Sequence, residues 1–182
     1  MFNLEKIIRP NILKLNAYSS ARDEFSGKEG SIGPNKETQG LLEGSLMSKD
    51  EKVFVIPCSG IGKALGTVGR TATYEVVEKL RPTEAATICL PLLTIGDETV
   101  LKLARNNSCI SVDGCPLQCA RKNIEASEGK LAASFMVTDV LRENRDLKPE
   151  AVTELGPKGS KLASILAEKI AIQIDEINKN DR

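Results

Sequence analysis

The chain has 182 residues, enough for one domain with a substantial core, and its 25 Lys and Arg balance 25 Asp and Glu. This balance removes the bulk electrostatic argument for nucleic acid or an anionic membrane as a partner, and 3% aromatic residues argue against base-stacking platforms. Neither a signal-peptide-like apolar run nor a stretch of membrane-spanning length is evident, so we expect a cytoplasmic protein.

The first 50 residues differ in character from the rest of the chain. From about Ser19 to Asp50, polar residues and glycine with scattered leucines show neither the period of a strand nor that of a helix. We therefore predict an N-terminal arm and linker over residues 1–50 and one cysteine-containing domain over residues 51–180.

From Lys52 onward, apolar strands alternate with helical stretches, which is the pattern of βαβ units. In chain order, the predicted elements are a strand over 52–58, a helix over 67–80, a strand over 86–90, a helix capped by Asp97, a strand over 108–113, a helix opened by Pro116, a strand over 133–137 and a helix capped near Ser160. This order predicts an α/β fold, a single Rossmann-like three-layer domain. Its mostly parallel sheet should have four or five strands, with helices on both faces.

Four of the five cysteines lie at or just beyond predicted strand ends: Cys58, Cys89, Cys115 and Cys119. Right-handed crossovers bring the carboxyl ends of parallel strands to one edge of the sheet, so we expect the four sulfurs within about 4 Å of one another. In a helix opened by Pro116, Cys115 and Cys119 would share a face. Clustered cysteines in a reducing compartment are more often metal ligands or redox groups than disulfides. The pattern predicts a four-thiolate site that prefers zinc.

Cys109 differs from these four because it lies inside the predicted third strand, where we expect its neighbours Ile110 and Val112 to be core residues. Free cysteine usually packs as a small apolar side chain, so we interpret Cys109 as a core residue. Separate inert or redox thiols are the alternative to a shared site for the other four. Which four cysteines would be ligands stays open at this point, because Cys109 could replace one of them.

The loop from Ser59 to Arg70 follows a strand and opens a helix, where a phosphate-binding loop would lie. Gly60, Gly62 and Gly66 do not have dinucleotide-binding spacing, and Lys63 is not followed by the Ser or Thr of a P-loop. A cysteine-protease mechanism lacks its base, since the chain has no histidine. The alternative to zinc is a redox enzyme or electron carrier that uses the same cysteines for an iron–sulfur cluster or thiol exchange, although a ferredoxin-like cysteine run is missing.

The segment Val112–Ala120 reads VDGCPLQCA, and CSG and CLP stand at Cys58 and Cys89. Together these motifs resemble the DGC-domain family of proteins thought to bind zinc, over about Lys52 to Gly156. The resemblance implies a four-cysteine metal site on the four strand-end cysteines named above. It implies no established enzymatic activity, so whether the protein is an enzyme is left open.

The segment Ile7–Gly27, IIRPNILKLNAYSSARDEFSG, resembles the N-terminal arm of histidinol-phosphate aminotransferases. Nothing beyond Gly27 continues the likeness, and the chain is too short for that enzyme, so no activity follows from it. One interpretation is an arm that docks on a neighbouring subunit or a protein partner. The other, which we favour, is a segment packed on its own domain or left loose.

Overall fold

A computed structural model describes residues 52–58 and 60–180 of the chain. The predicted arm over residues 1–50 and its aminotransferase-like segment lie outside this part, so the predictions made for them stay predictions.

The described residues form one parallel sheet of four strands in the order β2-β1-β3-β4. The strands are β1 (Val53–Pro57), β2 (Ala85–Ala86), β3 (Ser108–Asp113) and β4 (Lys130–Met136). All six residues of β3 are buried, as expected of a central strand covered on both faces. This sheet confirms the predicted α/β fold.

Six α-helices accompany the sheet within the described residues. They are α1 (Ala64–Glu75, continued by a π-helical turn over Val76–Leu80), α2 (Leu90–Ile95), α3 (Glu98–Asn106), α4 (Cys119–Ala126), α5 (Val137–Glu143) and α6 (Gly156–Asn180).

Two apolar layers, one on each face of the sheet, form the core. Alternate residues of a strand point to opposite faces, so Val55 and its neighbour Ile56 belong to different layers. The first layer, here called the α6 layer, joins Val55 to residues of α1, α5 and α6. The second joins Ile56 to residues of α2, α3 and α4, which completes the predicted three-layer arrangement.

The third strand and the Asp97 cap of α3 lie where the sequence predicts them. The predicted strand over 86–90 is wrong, because β2 pairs with β1 only at Ala85 and Ala86 and Cys89 already stands directly before α2. The helices α1 and α6 begin at Ala64 and Gly156, a few residues before the predicted positions. For α6, Pro157 in the first turn suits this earlier start, since proline needs no N–H partner there.

The helix predicted to open at Pro116 begins instead at Cys119. The residue before it, Gln118, has a left-handed backbone with φ of 51°, and its N–H donates to the Cys115 carbonyl at 3.1 Å. Residues 115–118 therefore form a turn, and the prediction that Cys115 and Cys119 share one helical face is wrong.

Candidate metal centre

Cys58 lies immediately after β1, with 7% of its surface exposed. Its N–H donates to the Val112 carbonyl at 2.9 Å, and its Sγ accepts the N–H of Gly114 at 3.4 Å. Both contacts come from the carboxyl end of β3 and the residue that follows it, because β1 and β3 are neighbours in the sheet. The thiol is therefore held at the sheet edge where the carboxyl ends of these two strands meet, the edge that we call the cysteine edge.

Three glycines bring backbone segments into direct contact beside this thiol. A Cβ atom on Gly66 would lie 2.5 Å from Cα of Gly60, and one on Gly114 would lie 2.7 Å from N of Gly66. A Cβ atom on Gly60 would also lie 3.4 Å from Sγ of Cys58, and Gly60 itself has a φ of 48°. Only glycine fits such close approaches without a shift of the backbone. Gly60 therefore lies in a tight turn directly beside the Cys58 thiol.

Asp113 is a functional candidate that the sequence reasoning missed. It ends β3, has 1% of its surface exposed, and accepts the N–H groups of Ala120 at 2.9 Å and Arg121 at 3.1 Å. These two donors belong to the first turn of α4, so the carboxylate fills the place of a helix cap. The sequence feature that could have identified Asp113 is an acidic residue at the end of a buried strand, shortly before a predicted helix.

Cys115 and Cys119 lie on the two sides of the turn that leads from β3 into α4. Cys115 is half-buried and follows Gly114, whereas Cys119 is exposed and is the first residue of α4. Burial is the main cause of a raised pKa of the Cys58 thiol; the Gly114 N–H opposes it, and Asp113, Cys115 and Cys119 add to it by charge repulsion. Three of the four predicted ligands, Cys58, Cys115 and Cys119, are therefore close enough for their charges to interact.

Cys89 stands apart from these three. It is exposed and directly precedes α2, and in the described part of the chain no hydrogen bond or electrostatic effect links it to the other cysteines. Its neighbour Leu90, however, packs in the same apolar layer as Cys58. The residue after Cys89 therefore packs in the apolar layer below the cysteine edge, but the Cys89 thiol itself does not interact with the other three thiols.

Across residues 52–58 and 60–180, no three Cys, Asp or Glu side chains are arranged to hold a metal ion. The expectation of four sulfurs within about 4 Å of one another is therefore not met there. Cys58 and Cys115 nevertheless lie at the same edge of the sheet, because β1 and β3 run parallel and end side by side.

Cys109 is fully buried inside β3, as predicted. Its Sγ makes long contacts of 3.5 Å with the carbonyl oxygens of Ala104 and Asn107, and burial raises its pKa to about 11. A thiol in these surroundings stays neutral and acts as a packing group.

These features define an α/β protein whose parallel sheet carries thiols and a buried carboxylate at one edge. The DGC domain model matches residues 54–159, more than half of the chain, and the protein belongs to the DGC domain family. The matched range includes every cysteine of the chain. No match is found among curated proteins or among solved structures. In the described residues, none of the helices combines the length and the apolar composition needed to cross a membrane.

Proposed function

We propose that the protein binds a divalent metal ion, zinc, through Cys58, Cys89, Cys115 and Cys119. The observation that carries the proposal is the surroundings of the Cys58 thiol. Within the described residues, the charged groups that act on it are all acidic: Asp113, Cys115 and Cys119. A bound cation would offset the repulsion among these groups, and thiolate sulfur is a preferred ligand of zinc.

The same surroundings argue against a nucleophilic thiol as the main function. A reactive cysteine needs a neighbouring base or positive charge that stabilises its thiolate. The chain has no histidine, and burial together with acidic neighbours disfavours the thiolate of Cys58. A cation held by several thiolates reverses this balance, because the ion itself supplies the missing positive charge.

The donor chemistry fits zinc, whereas the positions of the donors fit it only in part. Cys58, Cys115 and Cys119 lie around one turn but, within the described residues, are not arranged to hold an ion as they stand, and Cys89 has to approach them as well. Residues 87–89 belong to no regular element, so this approach breaks no strand of the sheet. A zinc ion bound by the four thiolates would have a closed coordination shell and would join separate segments of the cysteine edge. Such a site suits a structural, storage or regulatory role.

Elemental analysis of the full chain, purified without oxygen, tests the proposal. We expect about one zinc per chain in a colourless protein. Replacing any of the four proposed ligands by Ser should remove most of the metal, and Cys109→Ser is the matched control that should retain it. A wild-type protein without metal would refute the proposal, and a brown protein with iron would favour the iron–sulfur alternative. Loss of metal in Cys109→Ser with retention in Cys89→Ser would show that the fourth ligand is wrongly assigned.

A further inference from the structure

The helix α4 lacks a cap from its own flanking residues. Its N-cap residue, Gln118, has a left-handed backbone, and its side chain caps nothing. The N–H groups of the second and third helical residues, Ala120 and Arg121, instead donate to the two carboxylate oxygens of Asp113. A side chain at the end of β3 therefore determines where α4 begins.

This capping interaction also determines the position of Cys119. Cys119 is the first residue of α4 and directly precedes the two residues whose N–H groups the carboxylate binds. On the other side of Asp113, the N–H of Gly114 donates to Sγ of Cys58. One buried acidic residue thus links the helix that carries Cys119 to the strand end that holds Cys58 and to the turn that carries Cys115.

We propose that Asp113 is a positioning residue that holds Cys119 beside Cys58 and Cys115 for a shared cation. The proposal rests on the metal-binding function proposed above, but the capping role can be measured without metal. Two charge-assisted hydrogen bonds at the N-terminus of a helix hold its first turn against fraying, so the thiol is placed before the ion arrives. Preorganised ligands bind an ion more tightly than ligands that must first be ordered.

The test compares Asp113→Asn with the matched variant Asp97→Asn in the full-length protein. Asp97 caps α3 through the N–H groups of the same helical positions, those of Thr99 and Val100, and it takes no part in the proposed site. At Asp113 the two N–H groups bind different oxygens, so an Asn side chain, which presents an NH₂ group in place of one oxygen, loses half of the cap. At Asp97 both N–H groups bind Oδ1, which Asn retains, so Asp97→Asn controls for the loss of a capping charge without the loss of an acceptor. Both variants keep the size of the side chain.

Cobalt(II), whose thiolate complexes absorb visible light, is the probe for metal binding. We expect Asp113→Asn to weaken cobalt binding at least about tenfold and to lower the absorbance per bound cobalt, because Cys119 is no longer held in place. Asp97→Asn should bind cobalt like the wild type. Equal affinity and equal spectra for Asp113→Asn and the wild type would overturn the proposal.

Hydrogen exchange of the Ala120 and Arg121 amides provides the readout that needs no metal. We expect these amides to exchange faster in metal-free Asp113→Asn than in the wild type or in Asp97→Asn. A wild-type protein that binds neither cobalt nor zinc would refute the metal-binding function and with it a shared cation. Unchanged exchange of these two amides would separately overturn the capping role of Asp113.

Discussion

The α6 layer and the cysteine edge are built in opposite ways. In the α6 layer, α6 presents an aliphatic side chain about every fourth residue to the sheet: Leu162, Leu166, Ile170 and Ile174. At the cysteine edge, three glycines bring backbone segments together, and a carboxylate caps a helix from a distance. The layer needs side chains of suitable volume and polarity, whereas the edge needs particular residues at particular positions. Substitutions should therefore be tolerated very differently in the two regions.

The largest effect is expected from truncation in the α6 layer. Leu166 is fully buried, so Leu166→Ala should lower the free energy of unfolding by about 3 to 5 kcal/mol, through lost burial and the cavity left behind. Leu166→Met keeps most of the volume and should lower it by less than about 1.5 kcal/mol. Urea unfolding measures both values. A Met variant as unstable as the Ala variant would contradict the idea that this layer depends mainly on volume.

At the cysteine edge, even the smallest side chain should be harmful. A Cβ atom on Gly66 meets backbone atoms of Gly60, so Gly66→Ala should lower the free energy of unfolding by roughly 3 kcal/mol. Gly62 lies in the turn just before α1 and is the control, since a Cβ atom there meets no described atom within 4 Å. Its φ of 85° leaves only backbone strain, so Gly62→Ala should cost about 1 kcal/mol. Equal losses in urea unfolding would contradict the close contact.

Cys109 tests whether a cysteine in a strand interior behaves like a core residue. Burial raises its pKa from the ordinary 9.0 to about 11, so the folded state disfavours its thiolate. Stability is therefore unaffected below about pH 9 and falls from there toward pH 11, by at most about 1.4 kcal/mol per pH unit. Deprotonation of Cys58 should also lower the stability at alkaline pH, since the pKa of this thiol is raised as well.

Urea unfolding of the metal-free protein at neutral and alkaline pH measures this fall in stability. Cys109→Ser should make it shallower. Near neutral pH it should cost roughly 1 to 3 kcal/mol if the hydroxyl finds no partner, and less where it reaches the carbonyl oxygens of Ala104 or Asn107 that the thiol contacts. Identical dependence on alkaline pH in Cys109→Ser and the wild type would show that the buried thiol does not titrate as proposed.

The smallest effect is expected at the surface of the α6 layer, where Arg81 binds Asp175 of α6 through two hydrogen bonds of 2.8 and 2.6 Å. Their side chains are 29% and 37% exposed, so solvent screens the pair, and Asp175→Asn should cost at most about 1 kcal/mol. The loss should shrink in about 1 M salt. Asp139→Asn, at the more exposed pair with Arg142, is the control and should cost less.

The pH dependence of the Arg81–Asp175 pair has the opposite sign to that of Cys109. Arg81 holds the pKa of the Asp175 carboxyl below its ordinary 3.8. The contribution of the pair is therefore fully present above about pH 4 and is lost as the pH falls through the lowered pKa. Acid unfolding curves of the wild type and Asp175→Asn that run parallel would contradict this interaction.

The helices α3 and α4 show why one helix start could be predicted and the other could not. Asp97 caps α3 through residues two and three positions further on, so the signal is contained in four consecutive residues. Asp113 makes the same two kinds of hydrogen bond with residues seven and eight positions away, across a turn. Local sequence rules assign a cap to the residue next to the helix, and they therefore placed the start of α4 at Pro116.

Cys89 shows a second limit of local reasoning. The apolar run over 86–90 resembles a buried strand, yet β2 has only two residues because its pairing with β1 ends at Ala86. Short apolar runs are ambiguous between strand and helix, and the partner strand decides between the two. Where β2 ends therefore determines where Cys89 lies relative to the other thiols.

By itself, the sequence determined the alternation of strands and helices, the resulting parallel sheet, and the placement of cysteines beyond strand ends. These properties follow from hydrophobic periodicity and from the handedness of crossovers, which act along the chain. Only the tertiary structure decided that Cys58 is the buried one of the four strand-end thiols, that Gly60, Gly66 and Gly114 meet beside it, and that Asp113 caps α4. These contacts join segments far apart in the chain, and their distances depend on how β1, β3 and the helices pack together.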